Sequence, residues 1–368
     1  MNLSLSDEQE FLREAARGAL SRLQTIEAAR EALDGGELPD LWPTAKEAGW
    51  TGLLVSEEHG GAGLGPFDAM LVLGECGRVL APVALLGHLP ASWLLDRGGY
   101  DDIEAIGSGE RRAVYVPARP PGDAVGDWTV DPERGLHRAP APKLEGDTVT
   151  GEAHWVPDAP GADVLVVVCE GGVVAVADVS DPGVTLVEAG RYDATRSLGH
   201  VRLEGARATR LDVSPEDAAH AWYLAHALIA AESLGSVETC LEMAVQYAKE
   251  RFTFARPIGS YQAVKHGLVE ILRLLENGRS LLYYAGWAGD DSEEEFPIAA
   301  SAARSAAGRA MDYATRENIA VHGGIGATWE HDAPLFFRRA QLSRRLLGGT
   351  TEATDRVAGE LMSSASAA

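Results

Sequence analysis

The chain has 368 residues, 46% of them hydrophobic and 24% charged, which gives enough length for two or three cooperating lobes. A net charge of −23 argues against nucleic acid and anionic membrane surfaces, although a local basic cluster could still hold phosphates. Cys76, Cys169 and Cys240 are scattered, with neither a CxxC pair nor zinc-type spacing, as expected of buried apolar thiols in a reducing compartment.

Met1-Asn2-Leu3-Ser4-Leu5 runs directly into charge without the apolar core of a signal peptide. No apolar run reaches the ~18–20 residues of a membrane span, so the expectation is a soluble, cytoplasmic protein without membrane partners. Ser6-Asp7-Glu8-Gln9 has the form of a capping box and predicts a helix start. Helices are predicted over 67–80 and 83–95, after the Gly60-Gly61-Ala62-Gly63-Leu64-Gly65 run, which reads as a tight turn.

From about residue 112 the pattern changes to short Val-rich runs. Strands are predicted at 162–168 and 173–177, joined by Glu170-Gly171-Gly172, and at 184–187 after the turn signal Asp181-Pro182-Gly183. From Ser214-Pro215-Glu216-Asp217 onward the period is helical. Leu234, Val237, Leu241, Ala244, Val245 and Ala248 form one stripe; Val264, Leu268, Ile271, Leu275, Gly278 and Leu282 form a second. An alanine-rich helix over 298–321 and a last helix over 351–362 follow, with a Ser/Ala tail expected to fray. The fold class is therefore α+β: a helical domain over 1–110, a β domain over 111–212 and a helical bundle over 213–368.

Three segments carry a family resemblance. Arg251-Phe252-Thr253-Phe254-Ala255-Arg256-Pro257-Ile258-Gly259-Ser260-Tyr261-Gln262 is similar to the Arg-x-x-Phe-Gly-x-x-Ile-x-x-x-Gln pattern of acyl-CoA dehydrogenases, with Ala255 replacing the glycine. His322-Gly323-Gly324-Ile325-Gly326 resembles a second signature, and Ser56-Glu57-Glu58-His59-Gly60-Gly61-Ala62-Gly63 a third. The resemblance covers nearly the whole chain and implies a β-barrel-like middle domain, a C-terminal four-helix bundle, FAD as cofactor and acyl-CoA as substrate. It also implies that Arg251, Phe254, Gln262, His322, Gly323, Gly324, Thr350 and Glu352 contact the cofactor. An arginine fork suits pyrophosphate oxygens, and bare glycines let backbone amides approach a ligand. Taken alone, His322 is equally a packing residue or a ligand contact.

Other positions depart from the family. Its usual base, a glutamate in a Tyr-Glu-Gly-Thr segment, falls on Gly348, and the alternative base position on the first bundle helix falls on Ala225. Glu232, two turns beyond Ala225, is either tied to a neighbouring helix or a relocated base. Tyr115-Val116-Pro117-Ala118-Arg119-Pro120-Pro121-Gly122-Asp123 lacks the flavin-contacting Thr-Glu-x-x-x-Gly-Ser-Asp pattern. Pro157 replaces a flavin-binding threonine after the retained Trp155, and Ala320 replaces a glutamine before the His-Gly-Gly run. The residues that reach across an interface are kept, whereas those of the chain's own flavin site and base are lost. That asymmetry resembles the smaller subunit of heteromeric acyl-CoA dehydrogenases of steroid or fatty acid degradation, in which two homologous chains share a flavin within a tetramer. Such a chain is expected to bind little flavin alone. A self-sufficient homo-oligomer with a relocated base and a non-redox acyl-CoA-binding protein of the same fold are the competing readings.

Overall fold

In the computed structural model, residues 4–33, 35–120, 140–190 and 192–367 are described. The first layer is helical: α1 (Asp7–Leu20), α2 (Thr25–Leu33), α3 (Trp42–Glu47), α4 (Pro66–Arg78), α5 (Leu85–Arg97) and α6 (Ile103–Gly107). The capping box forms as expected: Gln9 N–H donates to Ser6 Oγ (3.1 Å) and Ser6 N–H to Gln9 Oε1 (3.1 Å). The 60–65 run is the predicted turn, with positive φ at Gly60 and Gly63.

The middle of the chain forms one seven-stranded mixed sheet. Its strands are β1 (Ala113–Val116), β2 (Lys143–Glu145), β3 (Thr148–Pro157), β4 (Val164–Val168), β5 (Val174–Asp178), β6 (Val184–Glu188) and β7 (Leu198–Arg210). The order is β1-β4-β5-β7-β3-β2, with β6 also on β7; β1 and β4 run parallel and the other pairs antiparallel. Alternation sets the packing. Tyr115, Val164, Val166 and Val174 join the helical core, while Val114, Leu165, Val167 and Ala175 face a second core closed by Val149, Ala153, Val201 and Leu203.

The third layer is the bundle: α7 (Pro215–Glu250), α8 (Gln262–Asp291), α9 (Phe296–His322), α10 (Ala333–Ser343) and α11 (Gly349–Ala367). A small hairpin of β8 (Phe252–Thr253) and β9 (Arg256–Pro257) joins α7 to α8. Both predicted stripes are the buried or half-buried faces of α7 and α8. The last helix continues through Ala367 instead of fraying near residue 362, in line with the helix propensity of its alanines. All three cysteines are free and buried. Among the described residues, no helix is long and apolar enough to cross a membrane, and no group of His, Cys, Asp or Glu could hold a metal.

Candidate functional site

Six of the eight expected cofactor residues gather at one end of the bundle. Helix α7 stops where Arg251 turns extended (φ −80°, ψ 121°), and its N–H still donates to Tyr247 O at 2.8 Å. The hairpin that follows turns through Phe254 (φ +47°) and Ala255 (φ +60°). Positive φ at both central residues is the type I′ arrangement that normally selects Asn-Gly, so this turn is strained. It presents Phe254 to solvent, 91% exposed, beside the 58%-exposed Phe252. Ile258 N–H closes the loop onto Arg251 O (2.7 Å), and the Arg256 guanidinium lies 4.0 Å over Tyr261. Gln262, exposed, then opens α8.

The end of α9 returns to the same place. The His322 ring lies 4.3 Å from that of Tyr247, one turn before Arg251, and 4.1 Å from that of His331. Its Nδ1 bonds to Asn318 O at 2.8 Å, and its side chain is buried. Gly323 takes φ +65° with ψ −137°, a conformation that favours glycine, and an added Cβ at Gly323 or Gly324 would meet nothing within 4 Å. The backbone there is open to a ligand. Exposed Ile325 and Trp329 extend the apolar surface.

Thr350 and Glu352 lie elsewhere, at the start of α11. A Cβ at Gly348, just before α11, would contact Trp222 on the first half of α7, ~40 Å along the helix axis from Arg251. Leu347, Gly348 and Gly349 all have positive φ, and the Leu347 carbonyl accepts from His226 Nε2 at 2.8 Å. Arg304, fully buried, donates to the carbonyls of Ser343 and Leu346 and thereby caps the end of α10. Burial, then the nearby Arg196, lowers the Arg304 pKa to about 9. Burial and the neighbouring Arg304, Arg119 and Arg356 lower that of His226 to about 3, so it is neutral. Glu352 forms an ion pair with Arg119, whose side chain is only 5% exposed.

Neither expected base position offers a proton acceptor, since Gly348 has no side chain and Ala225 is buried and apolar. Glu232 is 4% exposed and committed on both oxygens: Oε1 accepts from Arg339 Nη1 at 2.6 Å and Oε2 from Arg196. Arg339 also donates to Asp193 Oδ2 (2.6 Å) and Thr195 Oγ1 (2.6 Å). Glu232 is thus tied to its neighbours, each oxygen accepting from a buried arginine.

Trp155 sits at a register shift in β3 with φ +59°, its ring edge-on to His200 at 4.9 Å. Pro157 pairs with Leu198 in the sheet and offers neither hydroxyl nor N–H. Asp158 accepts from Gly87 N–H (2.8 Å), and burial raises its pKa to about 6. Of the segment replacing the flavin-contacting pattern, Gly122 and Asp123 lie outside the described residues. Sequence reasoning did not single out Arg119, His226, Arg304, Arg196 or Asp193. None lies in a motif that carries the family resemblance, and only the fold brings them beside Glu232, Gly348 and Glu352.

The acyl-CoA dehydrogenase C-terminal domain family model matches residues 220–362, and the N-terminal domain model matches residues 6–118. Acyl-CoA dehydrogenase IpdE2 of Mycobacterium tuberculosis is 30% identical over 361 residues, covering 97% of this chain and 98% of that protein. Among solved structures, a chain of the Tcur3481-Tcur3483 steroid ACAD superposes with a TM-score of 0.86 at 26% identity, covering 99% of this chain and 100% of that one. A chain of the ChsE4-ChsE5 complex from Mycobacterium tuberculosis superposes with a TM-score of 0.81, also at 26% identity, covering 98% and 99%.

Proposed function

From the premise that the chain belongs to the acyl-CoA dehydrogenase family, oxidoreductases acting on CH–CH bonds, we propose that it is the non-catalytic subunit of a heteromeric acyl-CoA dehydrogenase. It completes the FAD site of a homologous partner within a tetramer and contributes no base of its own. One observation carries this reading: the exposed end of the bundle keeps the family's cofactor residues, while the buried region at Gly348 and Glu232 holds no free carboxylate acceptor.

The outer end fits a dinucleotide. Arg251 supplies a planar fork for pyrophosphate oxygens. The open backbone at Gly323 and Gly324 admits close approach of a ligand. Phe254 offers a projecting apolar face, and Gln262 a side chain that both donates and accepts. Bound FAD supplies the hydride acceptor for Cα–Cβ desaturation. This chain's residues hold and cover that group, and the α-proton acceptor comes from the partner. The steroid-related solved structure supports a bulky, steroid-derived acyl-CoA as substrate. That both similar solved chains come from two-protein assemblies supports an unlike partner.

Purification of the chain alone and together with a homologous family subunit tests the reading by flavin absorbance per chain. The expected result is flavin only in the complex, one per pair of unlike chains. A full complement of flavin on the lone chain would favour a self-sufficient enzyme. Colourless preparations of both would leave the non-redox alternative.

A further inference from the structure

Two of the departures from the family lie 229 residues apart in sequence, at Arg119 within the replaced flavin-contacting segment and at Gly348 in place of the base. The fold brings them together. Arg119 follows β1 and pairs with Glu352, which stands one turn after Gly348 on α11. The carboxylate stands where a base side chain would begin: a Cβ at Gly348 would collide with Glu352 Oε2 and lie 3.5 Å from the Trp222 ring. With φ +77° at the same residue, a glutamate at 348 would be strained and would have to displace the Glu352 carboxylate from its place beside Arg119.

The surroundings favour keeping the pair in place. His226 senses Arg304, Arg119 and Arg356 together, and Arg356 lies 4.8 Å over the Tyr223 ring. Among these groups Glu352 is the carboxylate, and its removal would leave buried guanidinium groups less compensated. Paired with Arg119, the carboxylate is turned toward a guanidinium of this chain, a poor setting for a proton acceptor.

We infer that Arg119 and Glu352 form an internal plug, filling with this chain's own side chains the cleft in which the family otherwise seats flavin and base. This deepens the proposed function and rests on it: the chain lends its outer end to a partner's flavin because its own cleft is closed.

Hydrogen exchange followed by mass spectrometry, on the lone chain and on the complex, tests the plug. Arg119→Met and Glu352→Gln are each expected to speed exchange at least ~10-fold in both 113–118 and 344–352, because breaking a buried pair loosens both of its anchors. The swap Arg119→Glu with Glu352→Arg should recover part of that protection. Should Arg119→Met fail to fold, Arg119→Lys keeps the charge without the fork and gives the same pattern at smaller amplitude. A substitution that loosens only its own segment overturns the plug. So does a Glu352→Gln complex with flavin and protection intact but dehydrogenase activity lost, which would make Glu352 a base. A complex without flavin would overturn the proposed function while leaving the exchange coupling to stand. The expected flavin ratio without coupled exchange would overturn the plug alone.

Discussion

Helix α7 carries both regions, and its two halves are built differently. From Ala221 to Val237 every residue is buried, so this half runs through the interior with packing all round. Beyond it burial falls to a stripe, Cys240, Ala244 and Ala248, and the helix ends at solvent beside the strained hairpin. The buried half carries Ala225, where the alternative base is expected, with His226 against Leu347, Glu232 between two arginines, and Trp222 beside Gly348. The exposed half leads to the residues that match the family. Interior charge has been turned inward to satisfy itself, whereas exposed charge and aromatic surface are left for another molecule. Stability and function should therefore separate along this one helix.

The sharpest way to break that separation is Arg339→Met. It leaves Asp193 and Glu232 buried without their shared guanidinium, an expected loss of ~3–5 kcal/mol of folding stability. Chemical denaturation of the lone chain measures it. A loss below ~1 kcal/mol would mean that the network is wetter or looser than its geometry implies.

Arg251→Ala and Phe254→Ala probe the other half. Stability should stay within ~0.5 kcal/mol, because both residues are exposed. Flavin retention by the complex should weaken by ~2 kcal/mol for each, about 30-fold, as for other anchors at an interface centre. Equal losses of stability and flavin would collapse the distinction between the halves.

Acid supplies a finer test. Folded His226 takes a proton only near pH 3, because burial and Arg304 oppose its charge, against an ordinary value of 6.5. Between those values the unfolded chain binds the extra proton, so stability rises with pH across the window and is lost as pH falls. Burial holds His88 and His220 near 4, which adds to the effect. Asp158 and Asp290, raised to about 6, oppose it, since their folded forms bind protons more readily. His226→Gln should remove ~1–2 kcal/mol of the stability difference between pH 6.5 and 4.5. An unchanged pH profile would show that His226 is protonated or reached by water in the folded chain.

These contrasts explain what the sequence made legible. The stripe from Leu234 was readable because one face of α7 meets solvent there, and amphipathicity needs two solvents. The residues from Ala221 to Ser233 gave no period because they are buried on every side. Strands β4, β5 and β6 announced themselves as Val-rich runs between turn signals, but β7 did not. Its thirteen residues mix Arg, Glu, Gly and Ala, because one strand serves partners on both edges and is half exposed along much of its length. The outer site was legible as a contiguous motif. The inner one was not, because the Arg119–Glu352 pair and the Arg339 network join residues more than 100 positions apart, and only the fold pairs them.

The smallest effect bears on how the outer half presents its aromatic. Ala255 replaces the glycine of the family pattern, yet its backbone keeps a glycine's conformation at φ +60°. A left-handed L-residue costs ~1–2 kcal/mol, and glycine returns ~0.5–1 kcal/mol of that through the entropy of its unfolded state. Ala255→Gly should therefore stabilise the lone chain by no more than ~1 kcal/mol, seen as a small rise in Tm. The informative measurement is the flavin affinity of the complex. If the methyl group merely adds strain, affinity stays constant, because Phe254 leaves the turn at the same angle. If affinity falls while Tm rises, the strained alanine is holding Phe254 in its presenting conformation. In that case the exposed half resembles the buried one in accepting local cost for a fixed geometry.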